Sequence, residues 1–164
     1  MSKFGTKAIH SGTEPDSATG AIMTPIYQTS TYVQNAPGDH KGYEYSRTLN
    51  PTRHALEKSL AALENGNYGL TFSSGLAAMD ALLKSFKPGD EIISSNDLYG
   101  GSYRLFTKVF TDWGLKFHFV EMDNIKKVES LINENTKMIW LETPTNPMMN
   151  IIDIKAVSNL AKEY

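Results

Sequence analysis

From residue 68 onward, the chain alternates between short β-prone segments and segments with helical periodicity. Four segments have the composition and length of strands, namely Tyr68–Phe72, Glu91–Ser95, Leu115–Val120 and Lys137–Leu141. Between and after them, apolar residues recur at helical spacing, which predicts helices at Leu76–Phe86, at Tyr103–Trp113, over about ten residues from Asp123, and at Ile154–Tyr164. Strands that alternate with helices are typical of βαβ units, so the sequence predicts an α/β fold: a mostly parallel sheet with flanking helices.

The N-terminal part of the chain has a different character. Met1–Gly42 contains Gly, Pro, Ser and Thr throughout and shows no sustained helical period. Such a long stretch without strong structure is uncommon inside a compact domain. We therefore expect residues 1–49 to form an arm that packs on a neighbouring subunit, and residues 50–164 to form the main domain. Asn50-Pro51 is a typical helix start, and Gly66 ends this predicted helix.

Composition excludes several classes of function. The 164 residues contain no cysteine, so they offer neither a disulfide framework nor a thiolate site, and the four histidines lack metal-ligand spacing. The net charge is 16 − 18 = −2 without a long run of one sign, so neither nucleic acid nor a membrane surface is indicated as a partner. No signal peptide and no stretch of roughly 20 apolar residues is present. We predict a cytoplasmic protein without a metal site.

The turn Ser73-Ser74-Gly75 joins a predicted strand to a predicted helix and is a candidate anion site. The first N–H groups of a helix lack internal partners and carry partial positive charge, so they can hold a phosphate. Ser74 can cap this helix, and Gly75 would let a ligand approach the backbone. Taken alone, the stretch is explained more simply as a plain helix cap, since it matches neither the P-loop nor the G-x-G-x-x-G pattern.

Loops at the ends of the later predicted strands carry further candidates. Tyr99 could stack on a planar ring, although covering the edge of the core is an equal alternative. Asn146 is the polar side chain best placed to point into a site, unless its two-proline loop is only a structural turn. Arg104 could return toward the same edge, but a solvated charge is the commoner role. None of the 13 lysines is an attractive Schiff-base candidate.

Upstream of these loops, a guanidinium and two phenols lie close together in the sequence. Arg47 offers a planar donor fork suited to phosphate or carboxylate, and it lies between Tyr45 and a helix start. Arg53, by contrast, is expected to be a solvated charge.

Several segments, in order and at the right spacing, resemble one enzyme family. They are similar to the signature segments of the Cys/Met-metabolism pyridoxal-phosphate enzymes, which include cystathionine γ-synthase, cystathionine γ-lyase and methionine γ-lyase. The segments are YEYSRTLNPTR, TFSSGLAAMDALL, DLYGGSYRLF and WLETPTNPMMNIIDI. The resemblance runs from about Ala8 to Tyr164. It implies the large domain of a type I (aspartate-aminotransferase-like) fold, pyridoxal 5′-phosphate as cofactor, a sulfur amino acid as substrate, and a homo-oligomer, a dimer of dimers, with shared active sites.

The resemblance also implies which residues hold the cofactor phosphate. Gly75 and Leu76 match the positions whose backbone amides bind it, and Ser74 lies beside them. Tyr45 and Arg47 match a pair that reaches from one subunit to the phosphate in the neighbouring subunit's site. The arm would then complete another subunit's anion site.

Other matched positions concern the cofactor ring and the substrate. Tyr99 matches the aromatic residue that stacks on the ring and handles protons, and it is expected to be catalytic together with Tyr45. Asn146 matches the side chain that binds the cofactor's phenolic oxygen. Arg47, Tyr99 and Arg104 match positions near the substrate.

The reaction implied is β,γ-elimination or γ-replacement on cystathionine or an activated homoserine ester. In the family, the acidic partner of the pyridine nitrogen, the Ser/Thr phosphate ligands and the Schiff-base lysine come after the point where this sequence ends. We therefore expect a truncated, N-terminal portion of the enzyme that does not turn over alone.

Two alternatives stay open. The first is a methionine γ-lyase or an O-acyl-homoserine sulfhydrylase. Methionine γ-lyases typically have a cysteine where this chain has Gly101, which favours the cystathionine branch. The second is a catalytically silent binding or dimerisation fragment.

Overall fold

Two helices and the extended segments between them form the N-terminal unit of the chain. The computed structural model describes residues 3–164, and the chain divides into the compact units Met1–Phe72 and Ser73–Tyr164. In the first unit, helix α1 spans Phe4–His10 and helix α2 spans Pro51–Leu63. Asn50 caps α2 as predicted, because its side-chain oxygen accepts the N–H groups of Thr52 and Arg53 at 2.9 and 3.3 Å.

Helix α1 was missed by the sequence analysis, which found no sustained helical period in this region. The helix has only seven residues and no side-chain cap at its start. It packs against α2, where the Lys7 ammonium donates to the Ala62 carbonyl at 3.1 Å and to Asn65 Oδ1 at 2.6 Å. Tertiary contacts therefore stabilise a helix too short to be recognised from its own periodicity.

The segment Tyr68–Phe72 is not a strand, contrary to the prediction. A strand needs a neighbouring strand to pair its backbone groups, and no segment within residues 3–164 pairs with this one. Instead, the Thr71 N–H and hydroxyl both donate to Glu57 Oε1, at 3.2 and 3.0 Å. The β-prone composition of the segment predicted a strand, but composition does not supply a pairing partner.

Three parallel strands form the sheet of the second unit. Strand β1 spans Glu91–Ser95, β2 spans Lys116–Val120 and β3 spans Thr136–Trp140, in the order β2-β1-β3. Both pairings are parallel, which confirms the predicted sheet to within one residue at each boundary.

Four helices flank this sheet, and side chains alternate between its two faces. The helices are α3 at Gly75–Leu83, α4 at Gly100–Leu105, α5 at Ile125–Glu129 and α6 at Ile154–Glu163. On one face, Ile92 of β1 joins a buried cluster with Leu83, Leu98, Phe106, Phe110 and Leu115. On the other face, Ile93 joins Met122, Val128, Ile152, Val157 and Leu160. The parallel strands are therefore covered on both sides, as such strands require.

The helix predicted at Tyr103–Trp113 is interrupted. After α4, the turn Phe106–Phe110 is a π-helix. It is closed by Thr111, whose N–H and hydroxyl both donate to the Phe106 carbonyl at 3.0 Å. The wider turn keeps Phe106 and Phe110 fully buried, with 0% and 1% of their surfaces exposed.

A buried carboxylate, Glu91, lies at the start of β1, where the parallel strands begin. The Glu91 side chain is 8% exposed. It accepts hydrogen bonds from Asn133 Nδ2 at 2.8 Å, His118 Nε2 at 2.7 Å and Lys116 Nζ at 3.2 Å. These three donors, with Asn133 contributing most, lower the pKa of Glu91 from 4.5 to about 2.

This lowered pKa predicts a specific loss of stability in acid. The folded state keeps Glu91 charged at pH values where the unfolded chain is protonated. Its contribution is therefore complete above pH 4.5 and is lost as the pH falls toward about 2. We expect the melting temperature to fall more steeply over this interval in the native sequence than in Glu91→Gln. Thermal unfolding measured along a pH series checks this.

Glu134 supplies the control for that series. Its side chain is exposed and makes no hydrogen bond with the described residues, so Glu134→Gln should retain the native slope. Parallel curves for the native protein and Glu91→Gln would contradict the assignment.

Among the helices of residues 3–164, none combines the length and the apolar surface that a membrane-spanning segment needs.

Candidate functional site

The carboxyl ends of β1 and β3 lie side by side and carry the loops that sequence analysis singled out. The chain leaves β1 for β2 on one side, and it later returns to β3 on the other side of β1. In parallel sheets, ligands bind outside the carboxyl ends of the strands where the strand order reverses in this way. The candidate site is therefore formed by residues 96–101 after β1 and residues 141–150 after β3.

The N-terminus of α3 has the geometry predicted for an anion site. Ser74 caps the helix, since its hydroxyl oxygen accepts the Ala77 N–H at 3.1 Å. The N–H groups of Gly75 and Leu76 find no acceptor among residues 3–164. A Cβ added at Gly75 would meet nothing within 4 Å, and its backbone is not left-handed. Neither packing nor conformation requires this glycine, and the open space leaves its N–H accessible to a ligand.

Tyr99 lies immediately before α4, with its side chain 47% exposed. Its ring rests against the backbone of Gly101. A Cβ at that position would lie 2.3 Å from Tyr99 Cε1 and 2.9 Å from Cζ. Any side chain at residue 101 would therefore force the ring of Tyr99 to move.

Asn146 lies in the loop after β3 and is exposed. Its amide makes no hydrogen bond with the described residues. The Thr143-Pro144 and Asn146-Pro147 peptide bonds on either side of Thr145 are cis. Thr145 is 2% exposed and anchors this loop, which leaves the Asn146 side chain available at the surface.

Two carboxylates that sequence analysis did not identify as site residues connect the two loops. Glu142, after β3, accepts the Tyr99 N–H at 2.9 Å and the Ser102 hydroxyl at 3.0 Å. Asp97, after β1, accepts the Met148 N–H at 2.9 Å and the Thr145 hydroxyl. The available signal was that each acid lies two residues after the end of a strand, at the edge of the sheet that carries the other candidate residues.

Arg104, on α4, is exposed and folds back over the helix start. Its Nη1 lies 3.3 Å from the place that a Cβ of Gly100 would take. The side chain therefore points toward the residues that follow Tyr99.

Tyr45 and Arg47 are together in the N-terminal unit. The Arg47 guanidinium carbon lies 4.6 Å from the centre of the Tyr45 ring. Tyr45 forms an antiparallel bridge with Thr31. Arg47 is exposed, and its guanidinium has no hydrogen-bond acceptor among residues 3–164. Its donor fork is therefore free to bind an anion.

Arg53 is not the solvated charge that sequence analysis expected. Its guanidinium donates to the carbonyls of Ser46 at 2.9 Å and Thr48 at 2.7 Å, on either side of Arg47. It also lies 3.5 Å from Glu57 Oε1. Arg53 thus fixes the turn that carries Arg47, and the tertiary fold alone reveals this, because both acceptors are backbone atoms.

Three groups of candidate residues result. Tyr99, Asn146 and Arg104 belong to connected elements at one edge of the sheet. Ser74–Leu76 begin α3, which packs against α4. Tyr45 and Arg47 belong to the separate N-terminal unit. Within residues 3–164, no group of three or more metal-ligating side chains is present.

Comparison with known proteins identifies close relatives. The chain matches the family model for Cys/Met metabolism PLP-dependent enzymes over residues 5–164. It is 52% identical to a probable cystathionine gamma-synthase of Herpetosiphon aurantiacus over 98% of this chain and 50% of that protein. It is also 48% identical to a cystathionine beta-lyase of Coxiella burnetii over 99% of this chain and 42% of that protein.

Solved structures share the fold. Cystathionine gamma-lyase from Lactobacillus plantarum, complexed with L-serine, superposes with a TM-score of 0.92 at 46% identity. The match covers 99% of this chain and 42% of that one. These overlaps confirm the predicted α/β fold class, and the chain spans half or less of the length of the relatives it matches.

Proposed function

Because this chain belongs to the Cys/Met metabolism family of PLP-dependent enzymes, we propose that it forms part of a trans-sulfuration enzyme. The enzyme acts on cystathionine or an activated homoserine ester by β,γ-elimination or γ-replacement. The names of its relatives, a gamma-synthase, a beta-lyase and a gamma-lyase, support this substrate class. The observation that carries the proposal is a pair of N–H groups on α3 without an acceptor among the described residues, in the same unit as the exposed Tyr99 ring and the exposed Asn146 amide.

The residues present fit pyridoxal 5′-phosphate. Its phosphate requires donors, which Gly75 and Leu76 offer at a helix start whose dipole favours an anion. Its ring requires an apolar face, which the half-exposed ring of Tyr99 provides. Its phenolic oxygen requires a donor such as the unpaired amide of Asn146. The phosphate, the ring face and the phenolic oxygen of the cofactor thus each have a matching group in this unit.

The cofactor, when bound, supplies an electron sink for charge that develops on the amino acid. The chain's own residues orient the cofactor and the substrate and restrain their movement. In this proposal, Ser74, Gly75 and Leu76 hold the phosphate, and Asn146 fixes the edge of the ring. Tyr99 covers the ring, and its Oη accepts or returns a proton at the substrate. Arg104 binds the substrate's carboxylate.

The N-terminal unit has a different role in this proposal. Residues 1–49 extend to a neighbouring subunit, where Tyr45 and Arg47 contact the phosphate and the substrate of that subunit's site, with Tyr45 taking part in the chemistry. The free guanidinium of Arg47 and its stacking on Tyr45 support this role. Several exposed apolar side chains in this unit, Ile22, Met23, Ile26 and Val33, suit such a contact. We propose that the enzyme assembles as a cytoplasmic dimer of dimers. It catalyses either a lyase or a transferase reaction.

The test measures cofactor binding and turnover in the complete purified protein. With pyridoxal phosphate present, we expect cystathionine and water to give a thiol amino acid, ammonia and a 2-oxo acid, or an activated homoserine ester and cysteine to give cystathionine and the carboxylic acid of the ester. Gly75→Pro is expected to weaken cofactor affinity about tenfold, because it removes one N–H donor to a charged group. Proline is tolerated at the first helical position, so α3 should be retained.

Gly75→Ala is the matched control, because it keeps the N–H and adds only a Cβ where space is open. Affinity close to that of the native protein in Gly75→Ala, with a loss in Gly75→Pro, assigns the effect to the N–H group. Release of methanethiol from methionine, with no reaction on cystathionine, would replace the proposal with a methionine γ-lyase. Reversible cofactor binding without turnover, and without a pyridoxyl mass increment after borohydride reduction, would indicate a silent binding fragment.

A further inference from the structure

Glu142 uses both of its oxygens on the start of α4. Oε2 accepts the backbone N–H of Tyr99 at 2.9 Å, and Oε1 accepts the hydroxyl of Ser102 at 3.0 Å. Ser102 is fully buried, so this bond is shielded from water. The carboxylate therefore anchors Tyr99 by its backbone and also by the first turn that follows it.

Asp97 makes the reciprocal connection. It belongs to the β1 loop and accepts the Met148 N–H at 2.9 Å and the hydroxyl of the buried Thr145 in the β3 loop. The Thr145 hydroxyl oxygen in turn accepts the Asn150 N–H at 2.8 Å. Each loop thus lends a carboxylate to the other, and we name the pair Asp97 and Glu142 the carboxylate clasp.

The clasp contains no ion pair. Among residues 3–164, no lysine, arginine or histidine lies within salt-bridge distance of either carboxylate. Both acids are bound only by uncharged N–H and O–H donors, and such bonds to an ionised acceptor are short and directional. They fix where a backbone lies more sharply than a surface ion pair would.

The backbone of Tyr99 makes two hydrogen bonds with the described residues: its N–H donates to Glu142, and its carbonyl accepts the Tyr103 N–H at 3.1 Å in the first turn of α4. Its side chain makes no hydrogen bond with residues 3–164, so these two backbone bonds and the space above Gly101 place the ring, and the bond to Glu142 is the one that comes from the other loop. A shift of the residue 99 backbone would carry the ring with it. The position of the ring therefore depends on Glu142.

We propose that Glu142 is a positioning residue for Tyr99, and that the carboxylate clasp holds the Tyr99 and Asn146 loops at the separation that a planar cofactor ring requires. This inference rests on the proposed function, because it assumes that Tyr99 stacks on pyridoxal phosphate. It assigns to Glu142 no contact with the cofactor or the substrate. Its effect passes through Tyr99.

A double-mutant cycle on the complete protein tests this route. The dissociation constant for pyridoxal 5′-phosphate is measured in the native protein, Glu142→Gln, Tyr99→Ala and the double variant. We expect Glu142→Gln to weaken binding about tenfold, because small displacements of a preorganised group are costly. In the Tyr99→Ala background, the same substitution should change affinity less than about twofold, since no ring remains to misplace.

Controls separate positioning from folding. Glu134→Gln makes the same chemical change on an exposed carboxylate elsewhere in the unit and should leave the dissociation constant unchanged. Ser102→Ala removes one of the two anchors of Glu142, and it serves in the same cycle should Glu142→Gln fail to fold. Thermal unfolding of each variant identifies loss of the native state.

The outcomes distinguish a failure of the positioning role of Glu142 from a failure of the proposed function. An equal loss of affinity from Glu142→Gln in both backgrounds, or no loss in the native background, would overturn the positioning role. A native protein that does not bind pyridoxal phosphate, or whose affinity is unchanged by Tyr99→Ala, would overturn the proposed function instead. If Glu142→Gln lowers the affinity for pyridoxal phosphate only where Tyr99 is retained, both the positioning role and the proposed function are supported.

Discussion

Replacing Phe106 with alanine is expected to lower the free energy of unfolding of the second unit by about 3–5 kcal/mol. Phe106 is fully buried and stacks on Phe117, with ring centres 4.7 Å apart and planes 9° from parallel. Trp140 meets it edge-on at 5.8 Å. Truncation would remove these aromatic contacts and leave a cavity between the π-helical turn and the sheet. Chemical denaturation followed by tryptophan fluorescence measures the loss.

Val109 offers the matched control within the same π-helical turn. Its side chain is 50% exposed, so Val109→Ala should cost less than about 1 kcal/mol. Both variants place alanine in the same helical turn. A difference between their free energies of unfolding therefore reports the burial of Phe106 and not the helix propensity of alanine. Similar midpoints for both would show that this face of the sheet is not the tightly packed core described here.

Replacing Arg53 with methionine is expected to destabilise the N-terminal unit by about 2–3 kcal/mol, because two charge-assisted hydrogen bonds are lost. The carbonyls of Ser46 and Thr48 would lose their donors, and Glu57 would lose its cation. The estimate lies at the low end for two such bonds because the Arg53 side chain is 32% exposed.

The same change should also weaken anion binding. Arg47 lies between the two carbonyls that accept hydrogen bonds from Arg53. Loss of these bonds would make this turn, and with it the Arg47 guanidinium, more mobile. We expect the affinity of the complete protein for pyridoxal phosphate to fall about tenfold, since a mobile arginine pays more ordering entropy on binding. Denaturation and cofactor titration on the same samples report the two effects.

Two further variants test whether the loss of stability and of cofactor affinity in Arg53→Met comes from the charge or from the hydrogen bonds of Arg53. Arg53→Lys keeps the charge but loses the planar fork that reaches two carbonyls, so it should behave more like methionine than like arginine. Lys84→Met removes an exposed cation that pairs with Asp80 on α3, and it should cost less than about 0.5 kcal/mol. Native stability and affinity in Arg53→Lys would show that charge alone is sufficient.

Local sequence patterns predicted much of the second unit. Strand β1 was predicted with its observed limits, Glu91–Ser95, and β2 and β3 to within one residue. The caps of α2 and α3 by Asn50 and Ser74 were also predicted. Strand composition, helical periodicity and capping all depend on residues within a few positions of one another. Such information is present in the sequence without knowledge of the fold.

The candidate site was predicted in part. The loops that carry Tyr99 and Asn146 were located from the sequence, because parallel strands place their carboxyl ends at one edge. The roles of these residues toward a cofactor remain predictions. The carboxylate clasp was not anticipated, since Asp97 and Glu142 reach partners 40 to 51 positions away in the sequence.

The sequence by itself therefore determined the three strands, the caps of α2 and α3, and the edge of the sheet at which the loops of Tyr99 and Asn146 lie. Tertiary structure alone decided that α1 is a helix, that no segment of residues 3–164 pairs with Tyr68–Phe72, and that Arg53 and Glu142 act as anchors. The physical reason is common to all four. Periodicity records which side of an element is buried, whereas a distant hydrogen bond exists only after folding has brought its donor and acceptor together.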